Sequence, residues 1–167
     1  MINVSIIGFG RAGKIQYNAC KDICNVLYIV DTNTSVENFI SKKELFTNDI
    51  ETVLESSQVD AVIVTTPTST HFEICRRALQ HNKHVFVEKP LANNNEEYKE
   101  LYELSSKKKK ITIHWVQPKV RYGMVVINAS IGTPASATYI CGMSRPSLPT
   151  GFLLEQLWWN IQRLCRS

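Results

Sequence analysis

The sequence predicts an α/β fold, a doubly wound parallel sheet, and three observations predict it. Short β-branched runs alternate with helical periods over residues 1–114, and strands of that composition, covered on both faces, belong to parallel sheets. A glycine-rich turn joins the first strand to the first helix. The right-handed crossover rule then restricts such an alternation to a doubly wound topology.

Each element follows from local pattern. Residues 2–7 read as a short buried strand, and the glycine turn leads into a helix expected over 14–21. A second strand covers 26–30 and ends at Asp31. Residues 49–56 carry helical spacing in Ile50, Val53 and Leu54. A third strand covers 60–64, and Thr65-Thr66-Pro67 breaks it, because proline lacks the N–H a ladder needs. A helix over 70–82 sets Phe72, Cys75, Ala78 and Leu79 along one face. A fourth strand spans 83–87. The helix over 95–107 has Glu96 and Glu97 in its first turn and lysines at its end, an order that suits the helix macrodipole. A fifth strand is expected over 111–114. From Trp115 onward glycines and prolines scatter, no period is visible, and the chain has no internal repeat.

Composition narrows the function classes. With 167 residues, the chain is long enough for one domain with a core and short for two. A net charge of +4 is modest, and Lys107 to Lys110 supply much of it, so neither nucleic acid nor a membrane is an expected partner. No run approaches the ~20 apolar residues of a membrane span, and the N-terminus has no signal-peptide pattern. Cys20, Cys24, Cys75, Cys141 and Cys165 are odd in number and contain no C-x-x-C pair. Free thiols in a reducing, cytoplasmic compartment are expected, with no metal site.

The chemistry begins at Gly8-Phe9-Gly10-Arg11-Ala12-Gly13, a G-x-G-x-x-G between a strand and a helix. Gly8 permits the tight turn, Gly10 lets backbone approach a pyrophosphate, and Gly13 lets the helix pack on the strand. Amides of the first helical turn, with the helix dipole, would face the phosphates. Asp31 stands at the end of the second strand, 18 residues after Gly13, where its carboxylate can accept from both adenosine ribose hydroxyls. It would repel a 2′-phosphate, so NAD is the expected cofactor; Arg11 could neutralise that phosphate and keeps NADP as the weaker alternative.

A second group lies beyond the third and fourth strands. Thr65-Thr66-Pro67-Thr68-Ser69-Thr70-His71 and Glu88-Lys89-Pro90-Leu91 fall on the carboxyl edge, where open sheets bind ligands. Lys89 there can donate to a substrate hydroxyl and assist proton transfer, and Pro90 can fix the loop through a cis bond. Bland alternatives stand beside these. Lys89 alone reads equally as a solvated lysine, and His71 as a residue that merely positions its helical turn. His81, His84 and His114 read as ordinary surface or strand histidines.

Three blocks together resemble the Gfo/Idh/MocA oxidoreductases: Gly8 to Gly13, Val62-Ile63-Val64-Thr65-Thr66-Pro67 with His71, and His84-Val85-Phe86-Val87-Glu88-Lys89-Pro90-Leu91. The resemblance implies a Rossmann domain over 1–114, with an open-sheet α+β substrate domain begun but incomplete over 115–167. It implies an NAD site formed by Gly8, Phe9, Gly10, Arg11, Ala12, Gly13 and Asp31, with Thr65, Thr66 and Pro67 flanking the nicotinamide side; His71 and Glu88 complete the cofactor-binding set, and Glu88 also faces the substrate beside Lys89. Lys89, in an E-K-P motif, would be catalytic and contact the substrate. The implied reaction is NAD-dependent oxidation of a ring hydroxyl of a cyclic polyol or sugar, as in inositol dehydrogenases. Full-length relatives would associate as homo-oligomers through the second domain's sheet.

The sequence departs from the family where the catalytic aspartate and histidine should stand, since no G-G-x-x-x-D-x-x-x-H-D-type segment is present. A shifted reading frame accounts for this. Trp158, Trp159 and the start of Asn160 force the bases TGGTGGAA, which one base later read Gly-Gly. The following codons then permit Ile-Phe-Lys-Asp-Tyr-Val-Val-His. Residues 115–121 shift in the same way to a segment beginning with Gly. The expected consequence is a truncated or frame-disrupted tail with weak turnover, and Leu153, Leu154, Leu157, Trp158 and Trp159 without a core to enter. A non-catalytic NAD-binding regulatory module, or a product without function of its own, are the rival expectations. Retention of Lys89 speaks against a pure sensor.

Overall fold

The computed structural model describes residues 1–41, 43–110, 112–116, 123–127 and 137–140. In chain order the elements are β1 (Asn3–Ile7), α1 (Arg11–Cys20), β2 (Asn25–Val30), β3 (Leu45–Thr47), α2 (Glu51–Leu54), β4 (Ala61–Val64), α3 (His71–Gln80), β5 (His84–Val87), α4 (Asn95–Lys108), β6 (Thr112–Val116), β7 (Gly123–Ile127) and β8 (Ala137–Ile140). Short 3-10 turns cover Thr34–Phe39 and Thr68–Thr70. The sheet order is β3-β2-β1-β4-β5-β6-β7-β8. The first six strands pair in parallel, and β7 and β8 continue the sheet antiparallel. This is the doubly wound order, and its direction reverses between β1 and β4, the switch point where such sheets bind ligands.

The core lies on both faces because successive residues of a strand point oppositely. Val4, Ile6, Ala61, Ile63 and Phe86 pack on one side with Phe9 and Cys20. Ile7, Val62, Val64, Val85 and Val87 pack on the other with Cys75, Ala78, Leu79 and Leu101. Each buried valine, leucine, isoleucine or phenylalanine among them contributes roughly 1.5–3 kcal/mol by leaving water. Helix α4 is begun by Asn94, whose side chain accepts from the Glu97 N–H at 2.9 Å, while Glu97 accepts in return from the Asn93 N–H at 2.9 Å. Cys20, Cys24 and Cys75 are free and buried, and burial pushes the Cys75 thiol up. Among the described residues no helix is long and apolar enough to cross a membrane, and no cluster of His, Cys, Asp and Glu could hold a metal.

Several boundaries move. Helix α1 begins at Arg11, three residues earlier than the spacing suggests, because Gly10 is its N-cap and the second half of the glycine motif is already helical. Helix α2 is a single turn, Glu51–Leu54. Strand β3 has only three residues, too few for a periodic signal, and pairs through Ile29 with Phe46. Strands β7 and β8 extend the sheet beyond the fifth strand expected from sequence, at positions where neighbouring residues show no alternation. The shifted-frame segment at 157–167, and most of that at 115–121, lie outside the described residues.

One core-edge group gives a pH dependence. Burial, ahead of the charge on Lys110 and against Asp60, pushes the His84 imidazole down to about 4. An unfolded histidine protonates near 6.5. The folded value is depressed, so this contribution is complete above about pH 6.5 and is lost as the pH falls toward about 4. On the order of 2 kcal/mol is at stake after allowing for solvent screening. Urea unfolding at pH 7.5 and 4.5 is expected to show a smaller loss for His84→Gln than for the parent; equal losses would remove His84 from the account.

Candidate active site

Strand register builds the site. Ile7 pairs with Val30 and with Val64, and Val64 pairs with Val87. The next residue of each strand therefore emerges in one row: Asp31, Gly8, Thr65 and Glu88. Backbone hydrogen bonds hold that row, from Gly8 N to Val30 O at 2.8 Å, Thr65 N to Ile7 O at 2.9 Å and Glu88 N to Val64 O at 2.9 Å. Two sequence motifs more than fifty residues apart thus share one edge of the sheet.

Packing confines the glycine turn at Gly8 and Gly13 but not at Gly10. Gly8 has φ +91°, a conformation side chains rarely adopt, and a Cβ there would lie 2.9 Å from the Thr65 carbonyl carbon. A Cβ on Gly13 would collide with the Gly8 carbonyl oxygen. A Cβ on Gly10, in contrast, would meet no atom of the described residues within 4 Å. The protein's own packing gives no reason for glycine at Gly10, whereas a ligand lying against the backbone does. The first-turn amides of α1 have no side-chain cap, the turn holds no acidic residue, and Arg11 is exposed there. Such an N-terminus suits an anion. Ala12 is half-buried in the same turn, and the Phe9 ring is buried, edge-on to Tyr17 at 5.7 Å between centroids.

Asp31 ties the turn together from the side. Its Oδ2 accepts from the Phe9 N–H at 2.6 Å, and its Oδ1 accepts from the Asn33 N–H at 2.8 Å. Each carboxylate oxygen has a second lone-pair site, and Asp31 is half-buried rather than enclosed, so both oxygens keep capacity for ribose hydroxyls. The sequence reading assigned Asp31 only to ribose; its hold on Phe9 was not foreseen, although Asp-x-Asn at a strand end is a recognisable Asx turn.

The loop after β4 is equally committed. Thr65 Oγ1 donates to the Gly8 carbonyl at 2.5 Å, with the Ile7 carbonyl 3.2 Å away. Thr66 Oγ1 lies 2.8 Å from Thr70 Oγ1, and Pro67 is exposed at the mouth of the loop. His71 is buried at 1% exposure, its Nδ1 2.7 Å from the Pro90 carbonyl and its Nε2 2.8 Å from the Thr66 carbonyl. Both ring nitrogens thus lie against backbone carbonyl oxygens, one from the loop after β4 and one from the loop after β5.

Glu88 is half-buried and its Oε1 accepts from Gln16 Nε2 at 2.6 Å. Gln16, on α1 and 6% exposed, links the glycine-motif helix directly to the second motif. The sequence reading missed it; its only signal was a polar residue three positions after Gly13, on the same helix face. Gln16 Oε1 is buried without a partner among the described residues. Gln16→Ala removes a charge-assisted bond but also that orphaned oxygen, and is expected to cost about 1 kcal/mol in urea unfolding; no loss would mean the Glu88 contact carries no stability. Lys89 is exposed beside it, across a cis Lys89–Pro90 bond. The contrast with Lys83 is plain: Lys83 is buried, and its Nζ donates to the Ser56 and Val59 carbonyls at 2.5 and 2.8 Å. No hydrogen bond among the described residues occupies the Lys89 ammonium, which leaves it available at the sheet's carboxyl edge.

Fold and site together define the dinucleotide-binding domain of an oxidoreductase. The family model described as "Oxidoreductase family, NAD-binding Rossmann fold" matches residues 2–115, and the chain belongs to this family, Gfo/Idh/MocA. Biliverdin reductase A of Mus musculus is 31% identical over 114 residues, covering 65% of this chain and 37% of that protein. Myo-inositol 2-dehydrogenase of Thermotoga maritima is 31% identical over 98 residues, covering 56% and 29%. The crystal structure of a probable dehydrogenase from Thermotoga maritima superposes with a TM-score of 0.63 at 30% identity, covering 68% of this chain and 35% of that one. The chain thus spans about a third of the length of the relatives it matches. NAD is the family's cofactor, and the glycine turn, the open space at Gly10 and the half-exposed Asp31 fit it.

Proposed function

We propose that the chain is the cofactor half of an NAD-dependent dehydrogenase that oxidises a ring hydroxyl of a cyclic polyol or sugar. The observation that carries this reading is the single row of Asp31, Gly8, Thr65 and Glu88, with exposed Lys89 next in line. Inositol dehydrogenases among the relatives support the substrate class. Bound NAD would supply the hydride-accepting ring. Gly8, Phe9, Gly10, Arg11, Ala12 and Gly13 receive the pyrophosphate, and Asp31 the adenosine ribose. Thr65, Thr66 and Pro67 flank the nicotinamide side, with His71 behind them, and Glu88 supports Lys89. Lys89 donates to the reacting hydroxyl, orients it and lowers the barrier to its proton's departure.

Residues 1–114 form the dinucleotide domain in this reading, and 115–167 the start of the substrate domain. The shifted reading after Trp158 and Trp159 is checked directly in the nucleotide sequence, where absence of the downstream Asp and His codons would end it. Because no counterpart of the family's general acid/base histidine segment stands in the sequence, the chain alone is expected to turn over slowly. The test is titration with NADH and NADPH, followed by single-turnover NADH formation from myo-inositol. Tighter NADH binding with slow polyol oxidation supports the proposal; oxidation at ordinary enzyme rates, about 10 per second, would refute the impaired-turnover part. Lys89→Ala is expected to slow hydride transfer by about a hundredfold with NADH affinity within about twofold. NADH binding without any polyol oxidation would favour the regulatory-module reading instead.

A further inference from the structure

His71 makes two contacts that a neutral histidine cannot both satisfy. Its Nε2 lies 2.8 Å from the Thr66 carbonyl oxygen and its Nδ1 2.7 Å from the Pro90 carbonyl oxygen, in a site where the residue is 1% exposed. Carbonyl oxygens only accept, and a neutral imidazole has one N–H and one bare lone pair. In either neutral tautomer one contact would set two lone pairs against each other at hydrogen-bond distance, with water excluded. The imidazolium has two donors and satisfies both carbonyls.

We propose that His71 is a positioning residue held as an imidazolium, a cationic strap joining the loop after β4 to the loop after β5. It acts through the Thr66 and Pro90 backbones, and so fixes the separation between the nicotinamide-side loop and Lys89, the neighbour of Pro90. The strap stands on geometry alone; its use in aligning Lys89 with the cofactor rests on the function proposed above.

Two effects oppose the charge. Burial disfavours it, and His71 opens α3, whose N-terminus is the positive end of the helix dipole. Two charge-assisted hydrogen bonds, each roughly twice as strong as a neutral one, favour it, as does relief of the lone-pair clash. Among the described residues, the hydrogen bonds of the His71 ring go to two backbone carbonyls and to no carboxylate. Strand β4 and the Thr68–Thr70 turn carry no ionisable side chain, and β5 brings only His84, at its opposite end. On His71's own helix Glu73 is paired with Arg76. After β5, Glu88 is taken by Gln16 and Lys89 is exposed. On α4, Glu97 accepts from Asn93, and Glu96 and Glu100 are exposed.

The test reads the proton directly. Long-range proton–nitrogen correlation spectra of the 15N-labelled chain at pH 7 report each imidazole, and the chain has four histidines. His81→Gln, His84→Gln and His114→Gln, made singly, assign the other three by loss of their signals and leave His71 intact. Both His71 nitrogens are expected at protonated-type shifts, with slowly exchanging N–H protons. A bare, pyridine-type nitrogen in His71 overturns the proposal. His71→Gln offers one donor to one loop and sets an acceptor against the other. It is expected to bind NADH about tenfold more weakly, whereas unchanged affinity would overturn the positioning role. Should that variant fail to fold, the nitrogen shifts of the parent chain decide the matter. A protonated His71 in a chain that binds no NADH would leave the strap standing and remove the cofactor reading instead.

Discussion

Asp31→Ala is expected to weaken NADH binding by on the order of a hundredfold, about 3 kcal/mol. Two losses combine. The carboxylate no longer accepts from the ribose hydroxyls, and its Oδ2 no longer holds the Phe9 N–H inside the glycine turn, a bond of 2.6 Å. The second loss disturbs the pyrophosphate cradle as well as the ribose end. NADPH should lose less, because the negative charge that repels a 2′-phosphate is gone, so the preference for NADH narrows or inverts. Fluorescence titration of both reduced cofactors measures this. Asp31→Asn separates the two contributions: its amide can still accept from Phe9 with the side-chain oxygen while the charge is lost. Unchanged NADH affinity in Asp31→Ala would mean that the ribose does not lie at the end of β2.

Gly10→Ala and Gly13→Ala should fail in different ways, although both alter one motif by one methyl group. At Gly13 the added carbon collides with the Gly8 carbonyl. That carbonyl cannot yield cheaply, because Gly8 is held through its N–H on Val30 and accepts the Thr65 hydroxyl. Gly13→Ala is therefore expected to destabilise the fold by about 3 kcal/mol, on the order of 10 °C in Tm. At Gly10 the carbon enters space open to 4 Å, with φ −68° already acceptable to alanine. The fold should change by less than about 1 kcal/mol, while NADH affinity falls by on the order of a hundredfold as the methyl group occupies the pyrophosphate's approach. Calorimetry and NADH titration on the same two proteins separate the outcomes. Gly10→Ala binding NADH like the parent would place the pyrophosphate elsewhere.

Much of this was legible locally. The β-branched runs at Ile6–Ile7 and Val62 to Val64 report strands covered on both faces, because only such strands dispense with polar residues on alternate positions. Gly8, Gly10 and Gly13 are readable because a turn, a ligand approach and a helix contact each exclude a side chain for a different reason. Strand β3 was not readable, because three residues cannot establish a period; its pairing to β2 is a tertiary event. Gln16 was equally silent, since a glutamine on a helix carries no mark of the carboxylate it will meet 72 positions later.

The sequence by itself determined the fold class, the position of the glycine turn and the acid at the end of the second strand, because these depend on local sterics and on hydrophobic period. What only the tertiary structure decided is which groups meet. Register between parallel strands brings Asp31, Gly8, Thr65 and Glu88 into one row. The return of the β5 loop then puts the Pro90 carbonyl against His71. His71 meets both loops for the same physical reason: a ring nitrogen takes whichever acceptor the packed backbone sets within hydrogen-bond distance, and that distance is a property of the folded sheet edge, not of the order of residues along the chain.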